Sequence, residues 1–71
     1  MTEPNWARES EVKVGTRLEA DGGFTCLKEG TIRTVEQGEK GGLFVPCSEG
    51  RHWIDGQLDG RDRYIGFRVS T

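Results

Sequence analysis

No run of about 18 apolar residues occurs in this 71-residue chain, so it contains no candidate membrane span. Its opening, Met1-Thr2-Glu3-Pro4-Asn5-Trp6, has neither the basic region nor the apolar core of a secretory signal. These two absences set the expectation of a cytoplasmic protein with no membrane partner. Excess charge is missing as well: ten Lys and Arg stand against twelve Asp and Glu, for a net charge of −2 with both signs interspersed. Without a polybasic field there is little to hold a phosphate backbone, which counts against general nucleic-acid affinity. Apolar residues nowhere recur at helical spacing over three turns, and no internal repeat is found. A length of 71 residues allows one small domain with one core.

Soft metal ligands are scarce too. Cys26, Cys47 and His52 are the only ones, and none of the paired short spacings of a zinc site is present. A zinc ion held by these three and a carboxylate is therefore set aside, and the expectation is no metal and no cofactor. In a chain without a secretory signal the two cysteines are expected to be free thiols. A Cys47 nucleophile with His52 as base would need a cleft, an oxyanion donor and an orienting group, for which a filled domain of this size has little room. No catalytic residue is assigned, and the chain is not expected to be an enzyme. Asp55, Asp59 and Asp62 lack the alternate-position spacing of a calcium loop and are read as turn residues.

What is present is β patterning, centred on Gly41 to Asp55. Leu43, Val45 and Cys47 alternate with Phe44 and Pro46, and Ser48-Glu49-Gly50-Arg51 supplies a reversal. With Glu49-Gly50 as the loop, Cys47 would face His52, Pro46 would face Trp53 and Val45 would face Ile54, leaving Trp53 on the face opposite the apolar set. Val12 to Ala20 alternates as a first strand, and Asp21-Gly22-Gly23 ends it. A long loop follows, with apolar residues between Phe24 and Leu27 tucked beneath it. Gly30 to Glu36 is β-branched and reads as a second strand, in which a bulge between Ile32 and Val35 would return both side chains to the core. Gln37 to Gly42 is a polar loop. Asp55 to Asp62 is turn-rich, with room for one 3₁₀ turn and Leu58 capping the core. Tyr64 to Val69 alternates as the last strand, with Ile65, Phe67 and Val69 inward. Residues 1–11 show no period and read as a loose N-terminal arm, in which Trp6 is expected to fold back over the core edge.

Five short strands with a long loop after the first describe an all-β domain over residues 12–71, its sheet bent to protect its edges. Here the chain resembles the small SH3-like barrels, through Val14-Gly15-Thr16-Arg17-Leu18, Gly30-Thr31-Ile32-Arg33-Thr34-Val35 and Gly42-Leu43-Phe44-Val45. It is most similar to the KOW-type members, departing from them at Arg33, where their pattern places a glycine. The fold implied is a five-stranded SH3-like barrel.

With Val45, Ile54, Ile65, Phe67 and Val69 inward, alternation sends Phe44, Trp53 and Tyr64 outward, with Arg33, Arg51 and Arg68 beside them. These residue types are enriched in binding hot spots. In SH3-like barrels a comparable aromatic surface takes peptides or modified side chains, so the resemblance implies a protein-interaction module with these six as its binding residues. Size and the lack of catalytic motifs suit a small accessory or inhibitory protein of the sort phages and mobile elements encode. Two alternatives use the same face: stacking of RNA or single-stranded nucleic acid on the aromatics, and a structural homodimer.

Overall fold

Glycine and turn residues cut this chain into pieces too short for one long ladder. In the computed structural model, which describes residues 5–70, the outcome is eight short strands and two single 3₁₀ turns, with no α-helix among the described residues. The strands are β1 (Ala7–Arg8), β2 (Arg17–Ala20), β3 (Ile32–Thr34), β4 (Glu36–Gln37), β5 (Leu43–Cys47), β6 (Gly50–Trp53), β7 (Arg63–Tyr64) and β8 (Phe67–Val69). They form three small antiparallel sheets, ordered β1-β7, β3-β2-β8 and β4-β5-β6. The fold is all-β, and among the described residues no ladder joins the three sheets into a closed barrel.

The hairpin at the centre of the sequence is β5–β6, with its turn one residue earlier than expected. Ser48 and Glu49 form the turn, and Cys47 faces Gly50, Pro46 faces Arg51, Val45 faces His52 and Phe44 faces Trp53. The positive φ falls on Gly50 (+113°), after the turn rather than inside it, as in turn-plus-bulge loops with ordinary residues in the turn itself. The shift moves every cross-strand pair by two and so leaves both faces as expected. Leu43, Val45, Cys47 and His52 lie on one side, and Phe44, Pro46, Arg51 and Trp53 on the other.

Alternation fails where a turn interrupts a strand. Lys13 to Thr16 is a turn closed by Thr16 N–H to Lys13 O (3.0 Å), with Gly15 at φ +95°, so Val14 is exposed and the first strand begins at Arg17. The second strand has no bulge that returns Ile32 to the core. It breaks at Val35, whose N–H and C=O bond to Thr16 and Gly15, and the chain then crosses from the β2 sheet to pair as β4 with β5. Ile32, Arg33 and Thr34 are all exposed, and only Val35 is buried. The last strand is cut by a turn at Ile65-Gly66, with Gly66 at φ +90°. Tyr64 is 2% exposed and Ile65 47% exposed, the reverse of the expectation, and Val69 is also exposed.

The expected loose arm is docked from Ala7 onward. Ala7 pairs with Tyr64 and Arg8 with Arg63, and Glu9 N–H donates to Asp62 O at 2.8 Å. A 3₁₀ turn follows over Glu9–Glu11, tied by Arg8 N–H to Glu11 Oε1 at 3.1 Å. Residues 1–4 of that arm lie outside the described residues. Trp6 is half-buried beside β1 and is not among the core residues.

The largest fully buried side chains of the core are Leu18, Val35, Val45, Ile54, Tyr64 and Phe67, each at most 2% exposed. Each contributes roughly 1.5–3 kcal/mol of transfer free energy. Leu27 seals one side from the long loop, with Phe24 and Cys26 packed against the same cluster. Leu58, following the second 3₁₀ turn (Asp55–Gln57), caps the core and makes an isolated bridge to Tyr64.

Candidate functional site

Trp53 is the one aromatic residue of the expected set that stands on the surface. Directly opposite Phe44 on the outer side of the β4-β5-β6 sheet, it leaves 47% of its area exposed. Its position is fixed from three sides. Phe44 meets the indole edge-on, with ring centroids 5.1 Å apart. The Arg51 guanidinium lies 4.8 Å above the Phe44 ring and 5.9 Å from the Trp53 ring, within cation–π range of both. Underneath is the Gln37 to Gly42 loop, in which a β-carbon on Gly38 would stand 2.5 Å from Trp53 Cη2, and one on Gly42 would stand 3.3 Å from Cζ3.

That loop is itself well tied. Gly38 N–H donates to Gly42 O (2.7 Å), Gly41 N–H to Gly38 O (3.0 Å), and the Gln37 amide nitrogen to Gly41 O (3.2 Å). Asp55 accepts the Leu43 N–H at 2.8 Å and holds the loop exit. Glycine serves the loop in two ways: Gly41 takes φ +91°, and Gly38 and Gly42 leave space for the indole. The sequence shows this segment only as a polar loop, and its glycine spacing is the signal that could have exposed its role.

The six expected binding residues do not form one surface. Phe44, Arg51 and Trp53 come together, with Phe44 only 7% exposed and serving as the floor beneath the other two. Tyr64 is core: it pairs with Ala7 in β7, and burial, followed by the nearby Asp55 and Glu9 carboxylates, pushes its phenol pKa up. Arg68 is half-buried in β8, opposite Glu19, with Nη2 3.3 Å from Oε2. Arg33 is exposed on edge strand β3 of the other three-stranded sheet, and its Nη1 donates to Ile32 O at 3.1 Å.

Between the long loop and the hairpin tip lies an open cleft of about 550 Å³, whose lining includes Phe24, Cys26, Lys28, Arg33, Pro46 and Cys47. Both cysteines are unpaired and half-buried. The expected neighbour of His52 was Cys47, but the structure puts Cys26 there, with Sγ 3.3 Å from Nδ1. The imidazole is wedged between Phe24 (4.9 Å) and Phe67 (5.7 Å), both edge-on. Its Nε2 is buried without a partner, and burial lowers its pKa, favouring the neutral ring. Burial, followed by contact with the Cys47 side chain and the charges of Cys47 and Glu49, raises the Cys26 pKa. Among the described residues no three His, Cys, Asp or Glu side chains are arranged to hold a metal ion. No described helix is long and apolar enough to cross a membrane.

Asp59 organises the turn ahead of β7. It accepts the N–H groups of Arg61 (2.8 Å) and Arg63 (2.9 Å) and forms an ion pair with the Arg63 guanidinium (3.0 Å). The backbone N–H of Arg63 is the leading cause of its lowered pKa. Asp59 therefore serves the turn.

Comparison of the chain with family models, with curated proteins and with solved structures returned no match.

Proposed function

We propose that this protein is a non-enzymatic binding module that holds a partner protein on the outer face of the β4-β5-β6 sheet, with Trp53 as the anchor and Arg51 beside it. The observation that carries this reading is a fixed, half-exposed indole. An exposed tryptophan ordered in advance by Phe44, Arg51 and two glycines gives up little conformational freedom on binding, and aromatic and arginine side chains dominate hot spots. Tyr64, Arg33 and Arg68 are not part of the proposed site.

The fold reading that goes with it is an SH3-like barrel whose five strands are broken by turns. Supporting it, the strand from Ile32 to Gln37 serves two three-stranded sheets in turn, crossing at Val35, and the 3₁₀ turn Asp55–Gln57 precedes the final strands. Strands bent to serve both sheets are how a small barrel covers its edges.

The test is capture by tagged protein, with and without nuclease, comparing wild type with Trp53→Ala. A stoichiometric protein retained after nuclease by wild type and lost with Trp53→Ala carries the proposal. Equal capture by both would remove Trp53 from the site, and loss of all bound material on nuclease treatment would replace the reading with nucleic-acid binding. A protomer that sediments as a dimer only when Trp53 is intact would make the partner a second copy.

A further inference from the structure

The cleft between the long loop and the hairpin tip holds two thiols that the binding reading does not use, and its chemistry is independent of Trp53. Cys26 comes from the long loop and Cys47, 21 positions further along the sequence, from the end of β5. The main chain holds the two segments together: Ser48, next to Cys47, donates its N–H (3.4 Å) and its hydroxyl (3.2 Å) to Cys26 O. Cys47 and Cys26 line the same open cleft of about 550 Å³, brought to it by these two bonds. A base lies at hand: His52 Nδ1 is 3.3 Å from Cys26 Sγ. Two half-buried thiols lining one open cleft on segments tied together by the main chain, with an imidazole on one of them, are the parts of a dithiol that can be oxidised and reduced.

We propose that Cys26 and Cys47 form a redox-active dithiol site, which low-molecular-weight disulfides convert reversibly into an intramolecular disulfide that fastens the long loop to the hairpin tip. Cys47 is the entry thiol. Deprotonated by solvent, its sulfur attacks one sulfur of the incoming disulfide, forming a mixed disulfide and releasing one thiolate, which takes a proton from water. Cys26 is the resolving thiol, held neutral by burial and by its neighbours. Its sulfur attacks Cys47 Sγ in the mixed disulfide, its proton passes to His52 Nδ1 and on to the second departing thiolate, and the Cys26–Cys47 bond closes. Two cysteine thiols are oxidised, one small disulfide is reduced to two thiols, and excess small thiol runs the sequence backwards. Lys28 and Arg33 on the cleft wall and Glu49 beside Cys26 set the local charge that the entering reagent meets.

The experiment exposes the purified chain to oxidised glutathione and follows intact mass and free-thiol content, with Cys26→Ser, Cys47→Ser and His52→Gln run alongside. The expected result for wild type is loss of both free thiols with loss of two hydrogens and no retained glutathione. The oxidised monomer should melt at a higher temperature than the reduced one and revert on adding reduced glutathione. Cys26→Ser should stop at a stable glutathione adduct on Cys47, and His52→Gln should accumulate that adduct transiently by slowing the second step several-fold. Wild type that accumulates only glutathione adducts, or that forms only disulfide-linked dimers on a non-reducing gel, would overturn the proposal, because either outcome means that the two sulfurs do not meet within one chain. Partner capture through Trp53, measured on the oxidised protein, is expected to be unchanged, which keeps the two proposals separable.

Discussion

Two segments of this chain carry the same alternating pattern, and the structure treats them differently. In the hairpin from Leu43 to Trp53 the ladder is unbroken through four cross-strand pairs, so every second residue keeps its face and Trp53 emerges on the outside. From Tyr64 to Val69 the pattern reads equally well, yet Ile65 and Gly66 form a turn with Gly66 at φ +90°. That turn reverses the parity on its N-terminal side, so the aromatic ring goes in and the isoleucine goes out. Alternation is a property of a continuous ladder, and one glycine with positive φ is enough to cancel it.

The widest separation between the two segments should come from their aromatic residues. Tyr64→Ala removes a fully buried ring from a core shared by Leu58 and Ala7. A loss of about 3–5 kcal/mol is expected, comparable to the whole stability of a domain this size, so the variant should be unfolded by circular dichroism at room temperature. Trp53→Ala should cost about 1 kcal/mol or less and keep a cooperative urea transition. If the two variants lose equal stability, the contrast between the segments disappears and Trp53 belongs to the core.

A smaller effect should follow from Gly66→Ala. The new β-carbon would sit 2.5 Å from Phe24 Cζ, in a backbone conformation that side chains rarely adopt. Phe24 stacks on Phe67 at 4.7 Å and cannot give way without uncovering the core. The expected cost is about 1–3 kcal/mol, read from chemical denaturation. Gly56→Ala, in open space without positive φ, is the control and should be close to neutral. A neutral Gly66→Ala would mean that the last strand runs straight through, as alternation alone suggests.

The same contrast explains how much could be read from residues alone. All-β character, the central hairpin with its two faces, the turn-rich stretch before the last strand and the shared face of Trp53 and Arg51 follow from short-range patterns. The hairpin turn lies one residue earlier than expected because Gly50 takes its positive φ after the turn, and sequence does not say which of two adjacent positions will. Ala7–Arg8 went unread because a two-residue strand has no period to detect. The fate of Ile32 was misjudged because the chain changes sheets at Val35, which depends on Thr16 and Gly15 and not on the neighbouring residues. Contact between Cys26 and His52 spans 26 positions and depends on how the long loop folds back, information that no local spacing contains.

The inner face of the hairpin can be probed by pH. Burial lowers the His52 pKa below its ordinary 6.5, so as pH falls below about 6.5 the unfolded chain takes up a proton that the folded protein does not. Stability is therefore full above that value and declines as pH drops towards the folded-state pKa. His52→Leu should remove this share of the acid sensitivity and abolish the unpaired Nε2. The gap between variant and wild type, measured by denaturation at stepped pH, should move in favour of the variant below pH 6.5. A gap independent of pH would mean that His52 is solvated like the residues of the outer face.

The smallest effect tests whether the Trp53 ring is held or merely exposed. Gly38 has no positive φ, so alanine there carries no backbone penalty beyond its contact with the indole, 2.5 Å from Cη2. The ring is the movable partner, since its far edge faces solvent. Gly38→Ala should therefore change stability by less than about 1 kcal/mol while tilting the indole off Phe44 and away from Arg51. In a Trp6→Phe background, where Trp53 is the sole tryptophan, the change should appear as a red-shifted emission with faster quenching by acrylamide. Partner affinity should fall even though no binding side chain has been altered, because the loss comes from ordering rather than from contact. An unchanged spectrum with unchanged affinity would leave Trp53 as an ordinary surface residue and make the two glycines a matter of loop geometry alone.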